Sequence, residues 1–191
     1  FMRPVFNQAR KDIKRIVLTE GEDERVLHAA QQVVSQKLAF PILVGDAKLI
    51  EERLHSQGLT IQPGKDFELI DIKNSPYYEA SWKEYYNLRK RCGVTEEMAR
   101  RRLKANTTLV GALLVRLGHA DGLVCGTMGR FHDHFAVMEE VIGYNNPEKE
   151  AFAMNALISN KGNFFIADTY INENPTAEQL AKGTLMCAAE M

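Results

Sequence analysis

The segment Gly126-Thr127-Met128-Gly129-Arg130 sets two glycines around a hydroxyl residue and just ahead of a cation, at the end of an apolar run. At a strand-to-helix turn in an open α/β sheet, backbone N–H groups and the helix dipole favour an anion. Gly126, Thr127, Gly129 and Arg130 are therefore candidate ligand-binding residues. The same glycines also suit a tight turn that binds nothing. Glu20-Gly21-Glu22-Asp23-Glu24 has the opposite character: its carboxylates repel phosphate and match the positive end of a following helix, a structural role favoured over a metal site. His132-Asp133-His134 resembles a ligand cluster, but residues two apart diverge on a helix, so solvent-facing polar residues are expected and no metal is. Arg89-Lys90-Arg91, Arg100-Arg101-Arg102 and Lys104 form a basic region. Its default reading is solvated helix faces, yet forked arginine hydrogen bonds suit the phosphates of a nucleotide-like carrier such as coenzyme A. Asp168 follows Phe164-Phe165-Ile166-Ala167, read as a buried strand, and is either a cleft carboxylate or a local cap. Cys125 reads as an inert core thiol. No Gly-x-Gly-x-x-Gly or Walker segment is present, so no dinucleotide or P-loop site is encoded here.

The elements that must position these residues follow from hydrophobic periodicity. Ile16-Val17-Leu18 is a β-branched run stopped at Gly21, and Val26, Leu27, Ala30, Val33 and Val34 recur at helical spacing. A second cycle runs from a strand at Phe40–Val44 through Asp46 as N-cap to a helix presenting Ala47, Ile50 and Leu54, ended by Gly58. Phe67–Ile72 is a third strand, with Phe67, Leu69 and Asp71 on one face and Glu68, Ile70 and Ile72 on the other, expected near the sheet edge. Pro76–Leu117 is mostly helical, with an aromatic stripe at Tyr78, Trp82, Tyr85 and Tyr86, a break at Cys92-Gly93 and an N-cap at Thr95. Asp121–Gly126 reads as a buried strand, and Phe131, Phe135, Met138 and Ile142 mark the helix after it. This alternation implies an α/β fold, a doubly wound, mainly parallel three-layer sandwich. Gly143–Glu150, with Pro147, is the expected boundary between a first α/β domain, residues 1–145, and the start of a second, residues 146–191. The second opens with strands at Ala151–Ser159 and Phe164–Tyr170 joined by Asn160-Lys161-Gly162-Asn163. An Asn174-Pro175 helix start then turns Leu180, Thr184 and Cys187 inward.

Composition narrows the function classes. The chain has 191 residues, 45% hydrophobic and 26% charged, and its mean hydropathy of -0.28 describes an ordinary globular protein. Lys plus Arg at 24 against Asp plus Glu at 25 gives a net charge of -1, which argues against a nucleic-acid partner. Three widely spaced cysteines suggest neither a disulfide framework nor a zinc knuckle, and a cytoplasmic location is expected. Neither a membrane span nor a signal peptide is read. The chain opens on Phe1 before Met2 and closes at Met191 inside an apolar-periodic run, so it is expected to be a piece of a longer protein.

Several stretches resemble the phosphate acetyltransferase and butyryltransferase family: Leu18–Leu27 its opening strand-turn-helix, Gly118–Gly126 its central strand, and Asp168 with Pro175–Ala181 the entry to its second domain. Phe1-Met2-Arg3-Pro4, Gly126-Thr127-Met128-Gly129 and Asp168-Thr169-Tyr170 look like the version fused to the carboxyl end of bacterial NADP-dependent malic enzymes. The resemblance implies a two-domain fold of the isocitrate-dehydrogenase type and transfer of an acetyl group between coenzyme A and phosphate. It also implies that arginines hold phosphate and that a carboxylate helps activate the thiol. Arg89 stands where one family arginine is expected. Catalytic relatives carry Ile-Arg-Pro-Ala in the helix after the Gly126 turn, whereas this chain reads Phe135-Ala136-Val137-Met138, with Ala136 in place of the phosphate-binding arginine.

Losing such an anion contact removes several kcal/mol of transition-state stabilisation, on the order of powers of ten in rate. The leading expectation is therefore a non-catalytic module that binds acetyl-CoA and regulates a malic enzyme domain on the same chain, itself dependent on NADP and a divalent metal. Arg89, Gly126, Thr127, Gly129, Arg130 and Asp168 are its candidate acetyl-CoA or phosphate contacts, with no catalytic residue assigned. A homo-oligomer is expected as well. The rival readings are an active phosphate acetyltransferase and a structural oligomerisation domain presenting the Tyr78–Tyr86 stripe.

Overall fold

The computed structural model describes residues 2–72, 74–146 and 149–191. Phe1 and Pro147, which carry part of the opening motif and of the boundary expectation, lie outside the described residues. The chain divides into two compact units, Pro4–Gly143 and Tyr144–Met191 with the residues before Pro4.

The larger unit is built on a four-stranded parallel sheet in the order β3-β2-β1-β4. Its strands are β1 (Lys14–Leu18), β2 (Ala39–Val44), β3 (Glu68–Ile70) and β4 (Gly122–Val124). Residues along each strand alternate between two cores, as the period of two requires. Val17, Ile42, Val44 and Ile70 pack under α4 (Tyr78–Arg89), α5 (Glu96–Ala105), α6 (Thr107–Arg116) and α7 (Phe131–Val141). Leu43 and Phe67, with Leu18 and Leu69 beside them, meet Val26, Leu27 and Ala30 of α2 (Glu24–Ser35) and Ile50 and Leu54 of α3 (Ala47–Ser56). Helices thus cover both faces of a parallel sheet, the doubly wound three-layer arrangement expected. The strand at Glu68–Ile70 lies at an edge, as its mixed faces predicted.

The helix starts carry the caps that their sequences suggest. Asp46 accepts from the N–H groups of Lys48 and Leu49, and Thr95 accepts from Met98. An additional helix, α1 (Met2–Lys11), precedes the sheet, buries none of its residues, and was not read from the sequence.

Two readings of this unit are corrected. Asp121–Gly126 is not a buried strand: among the described residues β4 pairs only with β1, at the sheet edge, and Val124 is 56% exposed. Helix α7 turns Val137 and Val141 inward with Met138, leaving Phe131 and Ile142 exposed. The phenylalanines dominated the apolar pattern by size, and the smaller β-branched residues set the packed face. The aromatic stripe of α4 is consumed internally, with Trp82 and Tyr85 buried and Tyr78 and Tyr86 packed against the same core.

In the smaller unit, β5 (Met154–Ser159) and β6 (Gly162–Ala167) pair antiparallel around Asn160-Lys161, with Ser159 opposite Gly162. Phe164–Ala167 is exposed along its length, contrary to its reading as a buried strand, because the hairpin forms a two-stranded sheet of its own. Helix α8 (Ala177–Ala189) starts two residues later than Asn174-Pro175 implied, at a Thr176–Gln179 capping box. Its inward residues are Gly183 and Cys187, with Leu180 and Thr184 exposed. Gly183 is required there, since a Cβ would lie 2.5 Å from the Phe152 ring.

Gly111 has the same function in the larger unit. A Cβ there would lie 2.6 Å from Thr19 Cγ2 and 3.2 Å from Val17 Cγ1, so α6 approaches β1 more closely than any other residue would allow. Overpacking of this kind costs about 1–3 kcal/mol, against about 1 kcal/mol that alanine gains over glycine within a helix. Gly111→Ala is expected to lower the urea midpoint. Adding Thr19→Ser, which removes the colliding methyl, should restore most of the loss.

Candidate functional site

The strand order reverses at β1. The chain lays β2 and β3 successively to one side, then returns to place β4 on the other. Such a switch point leaves a crevice outside the carboxyl ends of the strands, where ligands bind in open α/β sheets. A cavity of about 370 Å³ occupies it here, walled by the loop after β1 (Thr19–Asp23), the turn after β4 (Met128, Gly129), the start of α6 (Asn106–Thr108) and the start of α7 (Asp133, His134).

The acidic loop and the glycine turn, which the sequence opposed in sign, face each other across this crevice. Glu20 Oε1 accepts the Gly126 N–H at 3.0 Å, so a carboxylate already occupies the N–H group that an anion would seek. Arg25 holds Asp23 through two N–H bonds, 3.0 and 2.9 Å, and donates to the Thr127 carbonyl at 3.2 Å, tying loop to turn. Asp23 in turn caps α2 by accepting from the Arg25 N–H. Glu22 Oε1 accepts the Asp46 N–H at 2.8 Å.

His134, read as solvent-facing, is instead central to the site. Its Nε2 donates to the Met128 carbonyl at 2.7 Å, and its Nδ1 shares a hydrogen bond with the Thr108 hydroxyl at 2.8 Å. The ring is held at both nitrogens, with Glu20 Oε1 4.0 Å from Nδ1. Gly129, at φ 93°, lies against the ring, and a Cβ there would come within 3.0 Å of Nε2. No sequence spacing links Thr108 to His134; only the docking of α6 beside α7 does.

The structure separates the six candidate residues. Gly126, Thr127 and Gly129 belong to the turn over the crevice, but Thr127 contributes its carbonyl to Arg25. Arg130 points outward, 84% exposed, and pairs with Asp133. Arg89 lies at the end of α4, 3.7 Å from Glu140 of α7, which also receives Arg102 at 2.9 Å and the Tyr85 hydroxyl at 3.1 Å. Burial raises the Tyr85 pKa, so its hydroxyl stays a donor to that carboxylate. Asp168, in the smaller unit, accepts from the N–H groups of Ala153, Ile171 and Asn172 and from the Asn172 amide, which makes it a local cap. Burial pushes its pKa up, but the Asn172 amide and these backbone bonds outweigh it and leave the pKa below the usual value. Cys125 is half-buried, and burial, then the nearby Glu20 charge, raises its thiol pKa, so it is a poor nucleophile. Among the described residues no group of His, Cys, Asp and Glu has the arrangement to hold a metal ion, and no helix is long and apolar enough to cross a membrane.

A family model described as phosphate acetyl/butaryl transferase matches residues 1–191. The chain belongs to that family. It is 50% identical over 188 residues to the NADP-dependent malic enzyme of Salmonella typhimurium, covering 98% of this chain and 25% of that one. It is 32% identical over 186 residues to the phosphate acetyltransferase of Thermoanaerobacterium thermosaccharolyticum, covering 94% of this chain and 55% of that one. In solved structures it is similar to the EutD phosphotransacetylase from Staphylococcus aureus, with a TM-score of 0.82 and 28% identity over 95% of this chain and 55% of that one. The chain thus spans about a quarter of the malic enzymes it matches and about half of the phosphate acetyltransferases.

The acidic loop yields a pH prediction. The Arg25 guanidinium holds the Asp23 pKa at about 2, below its ordinary 3.8. A depressed carboxylate pKa stabilises the fold above the unfolded value, and that contribution is lost as pH falls through the folded one. Asp23→Asn keeps a capping side chain but cannot titrate. The gap in urea midpoint between the two proteins should be constant above pH 5 and close between pH 4 and pH 2.

Proposed function

We propose that this chain is a phosphotransacetylase-like module that binds acetyl-CoA as a regulatory ligand and does not itself transfer acetyl groups. In this reading it shares a chain with a malic enzyme domain, which oxidatively decarboxylates malate to pyruvate using NADP and a divalent metal, and it assembles as a homo-oligomer. The observation that carries the proposal is the sign of the switch-point crevice. Its lining contains Glu20, Glu22, Asp23 and Asp133 but neither lysine nor arginine. An inorganic phosphate placed there would meet Glu20 and Glu22, while Arg25 and Arg130 are already paired with Asp23 and Asp133. Ala136, where the family resemblance expects an arginine, is exposed on α7 and supplies none. The half-identical malic enzymes support the context of the module. Exposed Arg91, Arg101 and Lys104 in the α4–α5 region supply cations suited to the phosphates of coenzyme A.

A second reading, an active phosphate acetyltransferase moving acetyl between coenzyme A and phosphate, is favoured by the phosphate acetyltransferases among the relatives. Two measurements on the full-length protein carrying this module separate them. Removing the module should abolish the response of malate decarboxylation to acetyl-CoA, and the intact protein should form no acetyl phosphate from acetyl-CoA and phosphate. Unchanged acetyl-CoA sensitivity after removal sinks the regulatory proposal; turnover of acetyl phosphate establishes the second reading.

A further inference from the structure

Thr108, Glu20, Gly126, Met128 and His134 form one chain of polar contacts inside the larger unit, and a single proton can rearrange it. The crevice lining holds four carboxylates, neither lysine nor arginine, and one histidine. Carboxylates ordinarily stay ionised from roughly pH 5 to 8, the range in which histidine side chains gain a proton.

The charged groups around the ring come from two places. From the loop after β1, Glu20 Oε1 faces Nδ1 at 4.0 Å, with Glu22 and the Arg25-paired Asp23 in the same lining. From the ring's own helix, Asp133 pairs with Arg130 at 3.0 Å. The start of α6 presents uncharged Asn106, Thr107 and Thr108 with the positive end of its dipole, and the turn after β4 presents Met128 and Gly129. Cys125, near Glu20, keeps its proton because burial, then the Glu20 charge, raises its pKa.

Nε2 is committed to the Met128 carbonyl, so an added proton enters at Nδ1. Without it, Nδ1 accepts from the Thr108 hydroxyl at 2.8 Å; with it, Nδ1 becomes a charged donor and the hydroxyl hydrogen must turn away. The anionic acceptor facing it is Glu20 Oε1, the atom that holds the Gly126 N–H at 3.0 Å. An imidazolium meets that oxygen with a full unit charge, a backbone N–H with a partial one. The ring itself has little room to approach, because Gly129 backs it so closely that a Cβ would lie 3.0 Å from Nε2. The longer, rotatable Glu20 side chain is the part that moves.

We propose that proton uptake at His134 draws Glu20 from the Gly126 N–H to Nδ1. The turn after β4 is then latched by Glu20 in the unprotonated state and released, with its Gly126 N–H unpaired, in the protonated one. The latch is independent of the acetyl-CoA reading, since it uses only groups of the chain itself.

NMR of the full chain tests it by following Gly126 amide exchange, corrected for the intrinsic pH dependence, together with the His134 ring signals. From pH 8 to pH 5 the Gly126 protection factor should fall at least fivefold, with the midpoint of the His134 titration. His134→Gln, and Glu20→Gln, whose amide oxygen still accepts the Gly126 N–H, should each make protection independent of pH. His132→Gln, on the exposed side of α7, should leave the fall unchanged. Three results would overturn the proposal: a ring that does not titrate in this range, protection that stays constant while it does, or a fall that persists in His134→Gln or vanishes in His132→Gln. If circular dichroism shows His134→Gln unfolded, Glu20→Gln alone decides, and an unaltered fall there overturns the latch.

Discussion

The close approach of α6 to β1 at Gly111 is the constraint on which the crevice depends. Because no side chain separates helix from strand there, the first turn of α6 comes level with the carboxyl end of β1. Thr108, in that turn, is buried and holds His134; His134 holds the Met128 carbonyl, and with it the turn that follows β4. Backing α6 away by a methyl width would loosen each of these bonds in sequence. A single missing side chain in the core therefore fixes the geometry of polar groups several residues away. Substituting any one of those groups would not move α6.

Where one element's own residues determine its structure, the sequence was readable. Phe40–Val44 predicts a strand, and it is one, with Ile42 and Val44 entering one core and Leu43 the other. Asp46 and Thr95 predict caps because a short acceptor before an apolar-periodic run has few other uses. Readings failed where neighbours decide. Whether the Leu123-Val124 strand is buried depends on how many strands lie beyond it, which its residues do not encode. The face of α7 is set by contact with α6, so Val137 and Val141 prevailed over larger phenylalanines. His134 was dismissed because it was compared with His132, its neighbour in sequence, when its partner is Thr108 on another helix.

The arginines show why a family position is not enough to assign a role. Arg89 is expected from the resemblance to be a family arginine, but here its charge is directed at Glu140, alongside Arg102 and Tyr85. That knot joins α4 and α5 to α7, and it fixes α7 at one end as His134 does at the other. A guanidinium so placed orients a helix. The basic run around it is likewise partly spent on aromatic faces, with Arg100 stacked 3.6 Å over the Trp82 ring. The local charge count overstated what remains for a ligand.

Asp168 and Glu20 show how differently two carboxylates that follow strands are supplied with hydrogen-bond donors. Both end or follow a strand, and the sequence singled out only Asp168. Yet Asp168 accepts four N–H groups, enough to fill its oxygens and to lower its pKa despite burial. It has no lone pair to spare and no tendency to take up a proton near neutrality. Glu20 has one N–H donor, Gly126, with His134 Nδ1 4.0 Å from its Oε1, and it lines the switch-point cavity. What separates them is the supply of nearby donors: the loop after β6 folds back on Asp168, whereas the loop after β1 faces across an open crevice.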